Sequence, residues 1–173
     1  MKNENLPSSK KLAIAGILTA LAVIGGTLSI PIGFTRCCPM QSIVNVLAAV
    51  FVGPWYGLGM AFCTSVIRNL LGTGTLMAFP GSMCGALLCG LVYSKCAKVI
   101  PTAIGEIFGT GVIGGLLAYP IAIAFMGVSA AKVAFYAYIV PFLISTTAGS
   151  ILAVVIVLAL QRAGALNKIQ SRL

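Results

Sequence analysis

The stretch FYAYIVPFLISTTAGSILAVVIVLAL, Phe135–Leu160, contains no charged side chain and is followed closely by Arg162. The hydrocarbon core of a membrane is about 30 Å thick, and about 20 residues of α-helix cross it. This stretch is long enough to do so, and the charged arginine after it is expected where the chain leaves the membrane. It therefore predicts a membrane-spanning helix.

The rest of the chain has the composition that more such helices require. Of the 173 residues, 60% are hydrophobic and 8% are charged, whereas soluble domains contain about 25% charged residues. We predict six spans, at about 12–30, 41–52, 55–71, 80–93, 102–126 and 135–160. The predicted fold class is therefore all-α, an integral membrane bundle of six transmembrane helices that forms a single membrane domain, residues 1–173.

The basic residues predict that both termini are cytoplasmic, because Lys and Arg concentrate in cytoplasmic segments. In this orientation the cytoplasmic basic residues are Lys2, Lys10, Lys11, Lys95, Lys98, Arg162, Lys168 and Arg172. Arg36, Arg68 and Lys132 then lie outside. The net charge of +9 is scattered between apolar stretches, so it indicates a multi-pass protein of the cell membrane and not a nucleic-acid binder.

The acidic residues and histidines are too few for most enzyme chemistry. Glu4 and Glu106 are the only acids, and the sequence contains no Asp and no His. Histidine triads, histidine zinc sites and paired-carboxylate hydrolysis are therefore excluded. The sequence also lacks the GxxxxGK[ST] loop of an ATPase. We expect no enzyme, no metal and no resident cofactor.

Polar residues gather on the predicted outer side, around Arg68 and Asn69 at the end of span three. An arginine in an apolar helix is costly unless it reaches lipid headgroups or a polar cavity. Arg68 either extends to the headgroups or joins an external pocket, and the second reading gains support from polar residues on the same side. These are Arg36, Gln41, Asn45, Thr73 and Thr75.

Glu106 and three tyrosines admit a structural role as well as a functional one. Glu106 lies about one turn into span five, near the positive end of the helix dipole, so we expect it at the membrane interface, away from the external pocket. Tyr119, Tyr136 and Tyr138 lie in the outer parts of spans five and six. They predict either an interfacial aromatic belt or pocket walls.

The adjacent Cys37 and Cys38 precede Pro39 in the first external loop. Two thiolates can hold a soft metal such as mercury or copper(I), so a soft-metal carrier is an alternative function. The other four cysteines show no CxxC spacing.

Small residues form stripes that favour close helix packing. In span one they are Ala15, Thr19, Ala22 and Gly26, with Ala13, Gly16 and Ala20 on an adjoining face. These stripes predict packing within the chain or docking onto another membrane protein. Gly109, Gly111 and Gly114 match GxGxxG, but they lie inside an apolar helix with no preceding strand, so we interpret them as packing residues.

Three stretches resemble the ThiW family, which belongs to the substrate-binding S components of energy-coupling factor (ECF) vitamin transporters. They are FTRCCPMQSIVNVLAAVFVGPWYG (Phe34–Gly57), IRNLLGTGTLMAFPGSMCGALL (Ile67–Leu88) and GEIFGTGVIGGLLAYP (Gly105–Pro120). With the size and the six spans, the resemblance covers nearly the whole chain. The second stretch is the most specific of the three.

The resemblance implies uptake of a thiamin precursor, hydroxyethylthiazole, from outside the cell. In S components the loop between spans one and two caps the pocket, and small residues on span one dock onto a coupling membrane subunit driven by two cytoplasmic ATPases. The expected substrate-binding residues are Arg36, Cys37, Gln41, Asn45, Arg68, Asn69, Thr73, Thr75, Tyr119 and Tyr138. The expected docking residues are Ala13, Ala15, Gly16, Thr19, Ala20 and Ala22.

The residues themselves leave three alternatives to a hydroxyethylthiazole transporter open. A pocket with a few donors would also accept thiamin or its pyrimidine precursor. A structural subunit that uses its small residues only for helix association would bind no ligand. A membrane enzyme ranks last, because only Glu106, cysteines, tyrosines and lysines could do acid–base work.

Overall fold

The structure is a computed structural model that describes residues 7–27, 29–32, 35–127 and 134–164. A π-helical segment, Ile107–Gly114, joins the helix Val99–Glu106 to the helix Gly115–Met126 without a break. The helices are α1 (Ser8–Gly26), α2 (Pro39–Phe51), α3 (Pro54–Leu70), α4 (Ala78–Cys96), α5 (Val99–Glu106), α6 (Gly115–Met126) and α7 (Ile139–Arg162).

The helical fold class is confirmed, and each predicted span overlaps a helix. Three helical runs are long and apolar enough to cross a membrane, Ser8–Gly26, Val99–Phe125 and Ile139–Arg162. Helix α2 has 13 residues, about 20 Å of helix, which is short for a bilayer. Six spans with cytoplasmic termini therefore stay a prediction, and Lys2, Lys132, Lys168 and Arg172 lie outside the described residues.

The first external loop differs from the prediction. Helix α1 ends at Gly26 and not near Ile30, and the chain continues into two short antiparallel strands, β1 (Ile30–Ile32) and β2 (Thr35–Cys37). Pro31 lacks the N–H that would continue a helix, and the β-branched residues beside it favour extended backbone. The fold is therefore helical with one added hairpin, in which Pro31 pairs with Arg36.

Helix α2 lies at the centre of the bundle, where it packs against α1, α3, α4, α5 and α7. Its buried apolar residues, among them Val44, Val46 and Val50, form the main core with Ala22 of α1 and Val157 of α7. Because α2 is surrounded by helices, its polar side chains also point into protein. This places Gln41, Ser42 and Asn45 in the interior.

The glycines of the rejected GxGxxG match serve helix packing, as predicted. A Cβ on Gly109 would lie 2.8 Å from the carbonyl oxygen of Cys84 and from the Cα of Gly85. A Cβ on Gly114 would overlap the Cα of Gly81. The π segment and α4 are therefore in direct backbone contact, which only glycine permits at these positions.

Candidate ligand-binding site

A cavity lies at one end of the bundle, between the beginnings of α2 and α7, the α3–α4 turn and the π segment. Its volume is about 60 Å³. A buried water needs roughly 10–15 Å³ of such space, so the cavity can hold a few waters or one small ring. Its lining residues are Cys38, Gln41, Ser42, Arg68, Gly74, Thr75, Ala78, Gly81, Ser82, Thr110, Phe142 and Ser145.

Arg68 is the charged residue of the cavity wall. Its side chain is only 4% exposed, so it faces the bundle interior and not lipid headgroups. Its Nη2 donates to the Thr73 carbonyl at 3.3 Å, and its buried Nε has no hydrogen-bond partner among the described residues. A Cβ on Gly26 of α1 would overlap this Nε, so the glycine lets α1 cover the guanidinium.

Asn69 and Thr73, both predicted ligand contacts, form hydrogen bonds that shape the α3–α4 turn, and their contact with a ligand stays a prediction. The Asn69 Nδ2 donates to the carbonyl oxygens of Ser65 at 2.8 Å and Thr75 at 3.2 Å. The Thr73 hydroxyl donates to the Arg68 carbonyl at 3.3 Å. This turn brings Thr75 to the cavity wall. Asn69 and Thr73 therefore help to position Thr75, although they do not line the cavity themselves.

Gln41 lines the cavity, and Asn45 lies one helical turn further along α2. The Gln41 Nε2 donates to the Asn45 Oδ1 at 3.3 Å. The Asn45 Nδ2 donates to the Ser82 carbonyl at 3.3 Å and to Glu106 Oε1 at 3.1 Å. Because Asn45 is fully buried and already bonded on every side, it acts as part of the supporting wall.

Glu106 lies next to the cavity wall, so the expectation that it lies away from the pocket is wrong. Its side chain is fully buried, and the Thr110 hydroxyl donates to its Oε1 at 2.8 Å. Thr110 also lines the cavity, so one residue separates Glu106 from the ligand space. The position near a helix start suggested an exposed acid, but α5 packs against α2, α4 and α7, which enclose it.

Room for the carboxylate comes from Gly85 on α4. A Cβ at this position would lie 2.6 Å from Glu106 Oε2 and would overlap the Thr110 hydroxyl. In the described part of the chain Oε2 has no hydrogen-bond partner. The Asn45 amide and the Thr110 hydroxyl both donate to the other oxygen, Oε1.

The tyrosines lie beside the cavity and not in its described lining. Tyr138 is 1% exposed and forms a second apolar cluster with Met77 and Phe142, against which Tyr119 packs. Phe142 belongs to both this cluster and the cavity wall. The two tyrosines therefore support the wall through Phe142.

The predicted gating residues Arg36 and Cys37 have their backbone in β2, and their side chains lie outside the described residues. The next residue, Cys38, lines the cavity, and its N–H donates to the Ser145 hydroxyl at 2.9 Å. This hydrogen bond ties the end of the hairpin to α7. In the described ranges no three His, Cys, Asp or Glu side chains are grouped as metal ligands would be.

The sequence reasoning missed the hydroxyl residues of the site. Ser42, Ser82, Thr110 and Ser145 line the cavity, and the Ser42 hydroxyl also donates to the Thr146 hydroxyl at 3.1 Å. Each of these residues lies in a mainly apolar helical run. Thr110 follows Glu106 by four residues, the spacing at which helix side chains meet, and this was the available signal.

The small-residue stripes of α1 divide between the interior and the surface. Ala15, Ala22 and Gly26 are buried against the neighbouring helices, whereas Ala13, Gly16 and Ala20 are exposed. Thr19 is half-buried, and its hydroxyl donates to the Ala15 carbonyl at 2.8 Å. The exposed residues are therefore the part of the predicted docking set that is free to meet a partner.

The fold and the composition define a helical membrane protein, and its internal cavity is lined by both polar and apolar side chains. A family model described as thiamine-precursor transporter protein (ThiW) matches residues 12–163. The chain belongs to this family, which confirms the predicted resemblance and a role in transport of a thiamine precursor. No curated protein matches the chain.

Proposed function

We propose that this chain is the substrate-capture subunit of an ECF importer and that its ligand is hydroxyethylthiazole. The observation that carries the proposal is the cavity around Arg68 in a chain of the thiamine-precursor transporter family. The chain has no phosphate-binding loop, so ATP hydrolysis falls to two cytoplasmic ATPases. A coupling membrane subunit connects them to this chain.

The cavity has the chemistry that a small hydroxylated heterocycle needs. Ring nitrogen and hydroxyl oxygen are acceptors, and Arg68, Gln41 and the wall hydroxyls supply donors. Phe142 offers an apolar surface to the ring. With cytoplasmic termini the cavity opens towards the outside, and Cys38, which directly follows the β1–β2 hairpin, lies in its wall.

Equilibrium binding to the detergent-purified chain, without ATPases, tests this function. We expect saturable binding of hydroxyethylthiazole, with thiamin and the pyrimidine precursor as weaker competitors. Thr75→Phe, which fills the cavity, is expected to weaken binding at least about tenfold by removing ligand space. Ser94→Phe, on an exposed part of α4, should leave affinity unchanged. Absence of saturable binding by all three compounds would refute the proposed ligand class.

The exposed face of α1 is the proposed docking surface for the coupling subunit, and Gly16 lies at its centre. A Cβ on Gly16 meets no described atom within 4 Å, so Gly16→Trp is expected to fold and to bind ligand normally. The indole should prevent close helix approach and abolish co-purification with the coupling subunit.

The matched control for docking is Val155→Trp, on the exposed surface of α7. It adds the same indole away from the proposed surface and should leave co-purification intact. If Gly16→Trp assembled as well as Val155→Trp, the partner would dock elsewhere.

A further inference from the structure

The charge of the cavity is unbalanced. Arg68 is the one charged side chain in its described lining. Glu106 is the one acidic residue that the structure describes. No ion pair joins it to Arg68 among the described residues, since its Oε1 accepts from Asn45 and Thr110. The ligand therefore meets a guanidinium directly, whereas Glu106 lies behind lining residues such as Thr110.

The guanidinium is also short of acceptors. One nitrogen donates to the Thr73 carbonyl at a long 3.3 Å, and the buried Nε has no partner in the described part of the chain. A buried cation is stable only when acceptors surround it. Gly26 of α1 covers the Nε, so the acceptor that a ligand in the cavity supplies is a lone pair directed at the terminal guanidinium nitrogens.

We propose that Arg68 makes the site selective for the charge of the thiazole ring. The site takes the neutral thiazole, whose ring nitrogen carries a free lone pair. It rejects the thiazolium form, in which that nitrogen is alkylated and carries a fixed positive charge, as it does in intact thiamin. This inference rests on the proposed function and adds the specificity-determining residue.

The expected size of the effect follows from Coulomb repulsion. A cationic ring in a cavity of this size would lie about 5 Å from the guanidinium, and at an effective dielectric constant of about 20 the repulsion lowers affinity on the order of a hundredfold. Alkylation also removes the ring's acceptor. Glu106 opposes this repulsion, but it does not line the cavity, and two donors already bind its Oε1.

The test compares three ligands on the purified chain by equilibrium binding. They are hydroxyethylthiazole, its N-methyl thiazolium derivative and its 2-methyl derivative, which adds the same methyl group without a charge. We expect the 2-methyl compound to bind within about tenfold of the parent and the thiazolium to bind about a hundredfold more weakly.

Variants then assign the discrimination to one side chain. Arg68→Gln should narrow the ratio between neutral and cationic ligand to about tenfold or less, because the repelling charge is gone. Arg68→Lys should keep the rejection, because its charge stays. Arg162→Gln removes an exposed arginine at the end of α7 and should leave the ratio unchanged.

The outcomes separate this inference from the proposed function. Thiazole binding in which the thiazolium binds within threefold of the neutral ring, or in which Arg68→Gln leaves the ratio unaltered, overturns the charge selection and leaves the capture function intact. Failure of all three ligands to bind the wild-type chain overturns both. Where Arg68→Gln does not fold, a wild-type ratio within threefold still overturns the inference, and Arg68→Lys still tests whether the charge at this position maintains the rejection.

Discussion

Replacing Gly114 by leucine is expected to yield no folded protein. A Cβ at this position would overlap the Cα of Gly81 and lie 3.2 Å from its backbone nitrogen. Both obstacles are backbone, so no side chain can turn aside and the π segment must separate from α4. Overpacking of this kind costs about 3 kcal/mol or more. Size-exclusion chromatography and thermal unfolding in detergent measure the outcome.

Gly59→Leu is the matched control, because it makes the same substitution inside another helix. A Cβ on Gly59 meets no described atom within 4 Å, and the residue is exposed on α3. This variant should elute as a single species with a melting temperature close to that of the wild type. A folded Gly114→Leu protein of unchanged melting temperature would show that the two helices are not in backbone contact.

The second large effect is expected at Asn45. Asn45→Ala removes one of the two described donors to Glu106 Oε1, together with the Gln41 hydrogen bond. Breaking the contacts of a fully buried polar group costs about 1–3 kcal/mol. We therefore expect a loss of about 3 kcal/mol in the free energy of unfolding, measured by chemical denaturation in mixed micelles.

A double-mutant cycle identifies the cause of this loss. In the Glu106→Gln background no carboxylate is left without its donor, so Asn45→Ala should cost at least about 1 kcal/mol less. Asn69→Ala is the control, since its described amide hydrogen bonds go to backbone carbonyls. Its effect should be the same in both backgrounds. Additive effects of Asn45→Ala and Glu106→Gln would show that the two residues are not energetically coupled.

The helices were predictable because the membrane imposes long apolar stretches with recognisable ends. Gly53 and Pro54 were read as a tight turn, and the structure has a positive φ of 85° at Gly53 and Pro54 in the first turn of α3. The hairpin was not predictable, because strands of three residues are too short to show an alternating pattern. The end of the hairpin contacts α7, which is more than 100 residues away in the sequence, and such a contact cannot be read from the local sequence.

The site was predictable in outline and not in the role of each residue. Gln41, Arg68 and Thr75 were placed at a pocket, and they line the cavity. Asn45 and Asn69 were expected to touch ligand, but their amides bond to protein. Residue type and span position cannot distinguish these cases, because a buried amide satisfies itself with ligand or with a neighbouring helix equally well. The depth of Glu106 depends likewise on which helices surround α5.

The π segment restricts how the length of this chain can change. A residue added to or removed from an α-helix rotates everything after it by about 100°. Within Ile107–Gly114 such a change would carry Gly111 and Gly114 off the faces that meet α7 and α4. Insertions and deletions, which related proteins usually accumulate in surface loops, are therefore expected to be absent from this part of the helix. Sequence variation between relatives here should take the form of substitutions at constant length.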